Sequence, residues 1–128
     1  MAGGWSDLVK NNLLGTTFVT KGAICGLDGN VWGVSDNFAI TPQEIEAAVK
    51  GFQNKDGLLG TGLKFEGQKY FVLQADDERI IGKQASRGFF VYKTNQAVVI
   101  AIYMEGIQPE QCSKVTGALA DYFKSIGY

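Results

Sequence analysis

Aromatic side chains lie near both ends of this chain and beside one turn, in an arrangement that could bind an extended apolar ligand. The rings are those of Trp5, Trp32, Tyr122, Phe123 and Tyr128. If the first and last helices pack side by side, partly exposed rings would form a flat, rigid platform between them. A polyproline II helix is stiff before it binds, so it loses little entropy on docking, and aromatic grooves recurrently hold it. The pattern therefore predicts a proline-rich peptide as the ligand.

The alternative is that these rings are core residues that close the fold. Aromatic residues at helical spacing commonly face a core, and on that interpretation Trp5 and Tyr122 only seal the packing. Composition does not separate the two interpretations, because 45% apolar and 12% aromatic residues are ordinary for a globular domain.

Side chains that could perform catalysis are few. The chain has no histidine, which excludes histidine general bases, Ser-His and Cys-His nucleophiles and the commonest metal ligand. Cys25 and Cys112 are too few for a structural zinc site, and we interpret both as free thiols. The acidic run Asp76, Asp77 and Glu78 is interpreted as a solvated hairpin turn. The sequence therefore predicts a protein that is not an enzyme and that holds no metal or cofactor.

The glycine-rich segment at residues 57–62 has the composition of a phosphate-binding loop but the wrong context. A nucleotide loop follows a strand and leads into a helix, whereas here a predicted helix precedes and a predicted strand follows. We therefore expect a flexible connector with positive-φ positions.

The elements that must position the rings follow from the apolar spacing. It predicts a first helix over residues 5–14, ended by Gly15, and a last helix opened by Pro109 with Lys124 in its final turn. A capping box of Thr41 and Glu44, with proline at the first helical position, predicts a helix to about residue 52.

Short extended runs predict an antiparallel meander with strands at 17–27, 31–32, 63–65, 69–75, 79–83, 88–93 and 97–104. The fold class is therefore α+β, with both terminal helices on one sheet face.

Charge and length limit the partners. Twelve basic and thirteen acidic residues leave a net charge of −1, which removes the general attraction for nucleic acids. The sequence shows no basic leader, and no stretch approaches the roughly 18 apolar residues that span a bilayer. We expect a cytoplasmic protein with a single domain over residues 1–128.

In their order and spacing, several segments resemble the profilin family over essentially the whole chain, with most similarity to the short profilins of lower eukaryotes. The segments are residues 5 with 12–16, 23–32, 62–63 with 67–70, 75–77, and 119–122 with 128. The resemblance implies a central antiparallel sheet with the N- and C-terminal helices on one face and a shorter helix on the other. It also implies a cytoplasmic, cytoskeleton-associated protein that binds monomeric actin and proline-rich segments of actin-assembly factors. Such a protein regulates polymerisation by sequestering monomers, delivering them to filament ends and promoting nucleotide exchange on actin.

The resemblance also implies the site residues. The positions that match the poly-proline groove are Trp5, Leu8, Trp32, Tyr122, Phe123 and Tyr128. The positions that match the actin face are Gly62, Lys69, Val72, Gln74, Lys83, Ile107, Gln108, Ser113 and Lys114. The positions that could serve phosphoinositide lipids are Lys83, Arg87, Lys114 and Lys124. Two of these positions depart from the family pattern, because Leu8 stands where tyrosine is usual and Gln74 where arginine is usual. We expect a weaker or altered proline site and a weaker actin face.

A second hypothesis is a small-molecule-binding or sensory α+β domain without actin binding, because fold class alone does not fix function. That hypothesis needs an enclosed cavity under the helices, whereas the family resemblance needs a filled core and open terminal rings. Because Gly127 precedes it, Tyr128 is expected to lie on a mobile tail that a ligand would order.

Overall fold

The computed structural model describes residues 4–128 as a seven-stranded antiparallel sheet between two layers of helices. The strand order is β2-β1-β7-β6-β5-β4-β3. The elements are α1 (Gly4–Asn12), β1 (Lys21–Gly26), β2 (Val31–Val34), α2 (Pro42–Gly51), α3 (Lys55–Thr61), β3 (Leu63–Phe65), β4 (Gln68–Ala75), β5 (Arg79–Gln84), β6 (Arg87–Lys93), β7 (Ala97–Tyr103) and α4 (Pro109–Ser125). The predicted α+β class and antiparallel meander are confirmed.

Alternation along the central strands divides the core into two halves. Every residue of β7 is buried, and its side chains point in turn to opposite faces of the sheet. Val99 and Ala101 pack with the terminal helices α1 and α4. Val98 and Ile100 pack with α2 and α3 on the other face. The prediction that the first and last helices share one face is therefore confirmed.

The glycine-rich segment after α2 differs from its prediction. We expected a flexible connector, but Lys55–Thr61 form helix α3. Leu58 of this helix is buried against Gly51, where an added Cβ would lie 2.5 Å from the leucine Cδ1 atom. Burial of one leucine therefore overrides the low helix propensity of the glycines. The expected positive φ occurs at Gly62, at 72°, where the helix ends.

The capping box of α2 is confirmed and also has a long-range role. The Thr41 hydroxyl accepts from the Glu44 amide, and the Glu44 carboxylate accepts from the Thr41 amide, both at 3.2 Å. The same carboxylate accepts from the amides of Glu66 and Gly67 at 2.8 Å. One side chain therefore starts the helix and attaches the β3–β4 turn to it.

The carboxylate of Glu66 joins three parts of the fold. It pairs with Lys21 of β1 at 2.6 Å and accepts from the Ala39 amide at 3.0 Å. Partial burial would raise the pKa of Glu66, but the hydrogen bonds from Lys21 and Ala39 outweigh it and hold this pKa below its ordinary value. A carboxyl group whose pKa is depressed by folding contributes stability above its unfolded pKa, about 4.3, and loses it as the pH falls through the folded value.

Replacing Glu66 by glutamine is expected to lower the free energy of unfolding near neutral pH by about 1 to 2 kcal/mol. The difference from the parent protein should shrink as the pH falls through the folded-state pKa of Glu66, because the parent carboxyl then becomes protonated as well. Urea unfolding across this pH range measures both quantities. Glu46→Gln is the matched control, because Glu46 forms an exposed pair with Lys50 on α2 and should change little. An equal loss at neutral and acid pH would contradict the assignment.

Candidate functional site

Three aromatic rings from distant parts of the chain meet at one end of the terminal-helix face. The ring centroids of Trp5 and Trp32 lie 4.8 Å apart, and the Tyr128 ring lies 5.3 Å from Trp5 and 6.0 Å from Trp32. The two tryptophans are half-buried and Tyr128 is 39% exposed. The contacts are tilted or edge-on, which are favourable geometries for aromatic pairs. We call Trp5, Trp32 and Tyr128 the aromatic platform.

A glycine in β2 allows α1 to reach the platform. A Cβ atom added at Gly33 would lie 2.4 Å from the carbonyl carbon of Trp5 and 2.6 Å from the amide nitrogen of Ser6. The Ser6 hydroxyl in turn accepts from the Val34 amide at 3.3 Å. Because Trp32 directly precedes Gly33, this close approach brings the two indoles together.

Replacing Gly33 by alanine is expected to displace α1 from β2 and to separate the indoles. The added methyl group meets backbone rather than a flexible side chain, so we expect a stability loss of about 1 to 3 kcal/mol. Urea unfolding measures this loss, and a decaproline titration of the folded variant measures the change at the platform. Gly60→Ala is the control, because nothing lies within 4 Å of an added Cβ there. Unchanged stability and unchanged peptide binding would contradict this role for Gly33.

The backbone of Tyr128 is held to the β6–β7 turn. Its carbonyl oxygen accepts from the Thr94 hydroxyl at 2.8 Å and from the Gln96 amide. The Gln96 carboxamide donates to the Gly127 carbonyl at 2.9 Å. The expectation of a mobile Tyr128 is therefore wrong, because these contacts hold the ring beside both indoles without a ligand. Sequence reasoning missed Thr94 and Gln96, since no local pattern signals a contact across more than thirty residues.

One predicted platform residue does not present its ring to solvent. Phe123 is completely buried, and its ring lies 5.5 Å from that of Trp5. On α4 it shares the inward face with Leu119 and Ala120, whereas Tyr122 points outward and is 52% exposed. Phe123 therefore supports the platform from below, and its prediction as a ligand contact is wrong.

A second candidate surface lies on the sheet beyond the cover of α4. Phe71, Lys83, Gly88 and Tyr103 are cross-strand partners in one row over β4 to β7. The inner end of the row is buried, because Tyr103 packs among residues of α4. At the outer end Phe71 is 67% exposed, and nearby Leu73 is 61% exposed. We call Phe71, Leu73, Gln74 and Lys83 the outer sheet face.

One predicted actin-face residue points to the other side of the sheet. Val72 is buried in the core half that packs with α2 and α3. Because successive residues of a strand alternate, the exposed neighbours are Phe71 and Leu73. Leu73 is the extra residue of a β-bulge between Val72 and Gln74. The prediction of Val72 as a contact is wrong, and the sequence held no signal for the choice, because Phe71, Val72 and Leu73 are all apolar.

The other predicted actin-face positions lie on or just before α4 and at the β3–β4 side of the sheet. Ser113, in the first half of α4, shares a hydrogen bond of 2.6 Å with the Tyr92 hydroxyl. Gln108 occupies the N-cap position of α4 without a side-chain capping hydrogen bond, Ile107 is partly buried before it, and Lys114 is exposed. The remaining positions, at the β3–β4 side of the sheet, are Gly62, which is partly buried, and Lys69, which is exposed.

The four predicted lipid-binding cations do not form one patch. The Arg87 guanidinium donates to Gln84 and Gln68 and lies 5.7 Å from the centroid of the Tyr70 ring. Lys124 pairs with Glu78 at 3.6 Å. Lys114 and Lys124 are ten residues apart on α4, which separates them by about 15 Å along the helix. Lys83 and Lys114 are the exposed members of the set.

Residues 4–128 hold no exposed cysteine, no metal-binding cluster and no membrane-spanning helix. Cys25 and Cys112 are free and buried, and burial raises the pKa of each thiol to about 12, which disfavours the nucleophilic thiolate. This part of the chain has no cluster of three acidic or cysteine side chains suited to a metal ion. No helix within it has the length and apolar character needed to cross a membrane.

Comparisons with known proteins agree with this geometry. A family model described as Profilin matches residues 3–128. Profilin-3 of Caenorhabditis elegans is 62% identical over 124 residues, which cover 97% of this chain and 98% of that protein. Profilin of Drosophila melanogaster is 39% identical with the same coverage. The solved structure of Acanthamoeba castellanii profilin IA matches with a TM-score of 0.94 and 39% identity, covering 98% of this chain and 100% of that one.

Proposed function

The chain belongs to the profilin family, and from this premise we propose that it binds monomeric actin through its outer sheet face and proline-rich segments through its aromatic platform. Profilins are non-enzymatic binding proteins, which is consistent with the lack of histidine and the buried thiols. The observation that carries the proposal is the presence of two exposed surfaces of different chemistry in one small domain.

The aromatic platform has the properties that a proline-rich ligand requires. Its rings are held by side-chain and backbone contacts before any ligand arrives, so little ordering is needed on binding. Prolines pack on aromatic faces, and the polyproline II backbone has no internal hydrogen bonds to break. Leu8 supplies no ring, so one aromatic contact is lost, which we expect to cost about 1 kcal/mol.

The outer sheet face has the composition of a protein interface. Phe71 and Leu73 form an exposed apolar centre, and Lys83 is the cross-strand neighbour of Phe71. An apolar centre with a polar rim is typical of protein interfaces. The lysine could pair with acidic residues of actin. Gln74 is an uncharged amide, so it cannot provide the charge and the bidentate hydrogen bonds of an arginine guanidinium.

Separate surfaces would let the protein hold both partners at once. In this role it sequesters actin monomers, delivers them to filament ends near proline-rich assembly factors, and promotes nucleotide exchange on actin. These activities assign it to the cytoplasm and the cytoskeleton. Phosphoinositide lipids are a further proposed partner, for which Lys83 and Lys114 are the accessible cations. A lipid bound at Lys83 would compete with actin.

The assembly of purified actin tests the proposal. An equimolar amount of the protein should reduce the actin that sediments during spontaneous polymerisation, because bound monomers do not nucleate filaments. Spontaneous assembly that is unchanged by equimolar folded protein would exclude the actin-binding part of the proposal.

A further inference from the structure

An open depression lies between the two terminal helices, next to the aromatic platform. Its volume is about 370 Å³, and it is lined by Leu8, Asn12, Val115, Ala118, Leu119 and Tyr122. Four of these side chains are aliphatic, while the Asn12 carboxamide and the tyrosine ring complete the lining. The depression opens to solvent, so it suits a side chain of a bound segment rather than an enclosed small molecule.

The depression continues the surface of the platform. Leu8 follows Trp5 by three residues on α1, so the two side chains occupy neighbouring places on the same helix face. On α4, the ring of Tyr122 lies 5.9 Å from that of Phe123, which in turn lies 5.5 Å from Trp5. An extended ligand that lies on the indoles and runs along the helices therefore passes over the depression.

We propose that this depression binds one branched aliphatic side chain, that of leucine, isoleucine or valine, within a proline-rich ligand whose prolines lie on the platform. The inference rests on the proposed binding of proline-rich segments and adds a sequence preference to it. A proline ring is tied back to its own backbone and leaves the bottom of the depression in contact with water. A leucine side chain extends further and buries additional apolar surface there.

The residue that decides this preference is Leu8. Its aliphatic side chain forms one wall of the depression, opposite Ala118 and Leu119 of α4. A larger aromatic side chain at position 8 would occupy the space itself and leave only a flat surface. The polyproline II helix has three residues per turn, so one aliphatic residue can face the depression while the third residue before or after it faces the platform.

A peptide scan tests the inference directly. Decaproline and a set of decaproline variants, each with one leucine at a successive position, are titrated into the protein by calorimetry. We expect at least one leucine peptide to bind about threefold or more tightly than decaproline, because a buried methylene group favours binding by about this factor. Lysine at the same peptide position should remove the gain.

Two variants of the protein fill the depression from opposite sides. Leu8→Tyr fills it from α1 and Ala118→Phe fills it from α4, where Ala118 is exposed. Ala118→Phe should retain decaproline binding and lose the leucine preference. Leu8→Tyr should also lose the preference, and because it restores an aromatic contact at a groove position, we expect it to bind decaproline about fivefold more tightly. Asn11→Tyr is the matched control, because Asn11 is exposed on α1 and does not line the depression. It should keep the preference.

The outcomes separate this inference from the proposed function. If decaproline binds and no leucine peptide binds more tightly, the inference is overturned while the proline-rich site stands. A leucine preference that survives in both filled variants also overturns it, because the leucine then binds elsewhere. If none of the peptides binds to the folded protein, the proline-rich site itself is excluded and the inference falls with it.

Discussion

Replacing Trp5 by alanine is expected to weaken decaproline binding by at least about 30-fold, because a central tryptophan of an interface typically contributes 2 kcal/mol or more. Its ring contacts Trp32 and Tyr128, so its loss opens the middle of the platform. Trp5 and Trp32 are the only two tryptophans of the chain. A fluorescence titration of the parent protein therefore monitors the platform itself, and calorimetry measures the affinity of the variant.

The Trp5 ring also covers Phe123, so a second variant separates binding from folding. Trp32→Ala removes the neighbouring indole, and its peptide affinity should also fall about tenfold or more. Phe18→Ala is the control, since Phe18 is an exposed ring outside the platform. Parent-like decaproline affinity in both folded tryptophan variants would show that the platform is not the ligand site.

Replacing Phe71 by aspartate is expected to lower the affinity for monomeric actin about 30- to 100-fold, equivalent to about 2 to 3 kcal/mol. The change removes a large ring from the centre of the outer sheet face and forces a charge to lose its water at the interface. The native side chain is 67% exposed, so the fold should remain intact. Sedimentation equilibrium with monomeric actin measures the affinity.

A matched substitution on the opposite layer controls for general effects of the new charge. Leu59 of α3 is 53% exposed and lies away from the outer sheet face. Leu59→Asp should leave the affinity for actin unchanged, and neither variant should alter decaproline binding. An equal loss in both variants, or no loss in Phe71→Asp, would rule out the outer sheet face as the actin site.

Elements with strong local signals were predictable from the sequence. The α2 start follows from a local capping box, in which the side chains of Thr41 and Glu44 each accept from the other residue's amide. Pro42, at the first helical position, has no amide hydrogen that needs a partner. The alternation and short spacing of the later strands indicated an antiparallel meander. The terminal helices were identified from their apolar stripes, and so was the layer that they share.

The parts that sequence reasoning missed depend on long-range contacts. Helix α3 forms because Leu58 is buried against α2. The glycines of this segment favour a loop, so the helix could not be predicted from its local sequence. The anchoring of Tyr128 depends on Thr94, which is distant in sequence. Assigning Val72 rather than Phe71 to the exposed face was an error of one residue, and in a strand such a shift moves a side chain to the opposite side.

The central claim is that one folded domain holds actin and a proline-rich segment at the same time on different surfaces. Analytical ultracentrifugation of fluorescently labelled decaproline with the protein and monomeric actin tests it most directly. The account predicts that the label sediments with actin only when the protein is present, in a complex that contains all three components. Release of the peptide as actin is added, or release of actin as the peptide is added, would contradict the claim.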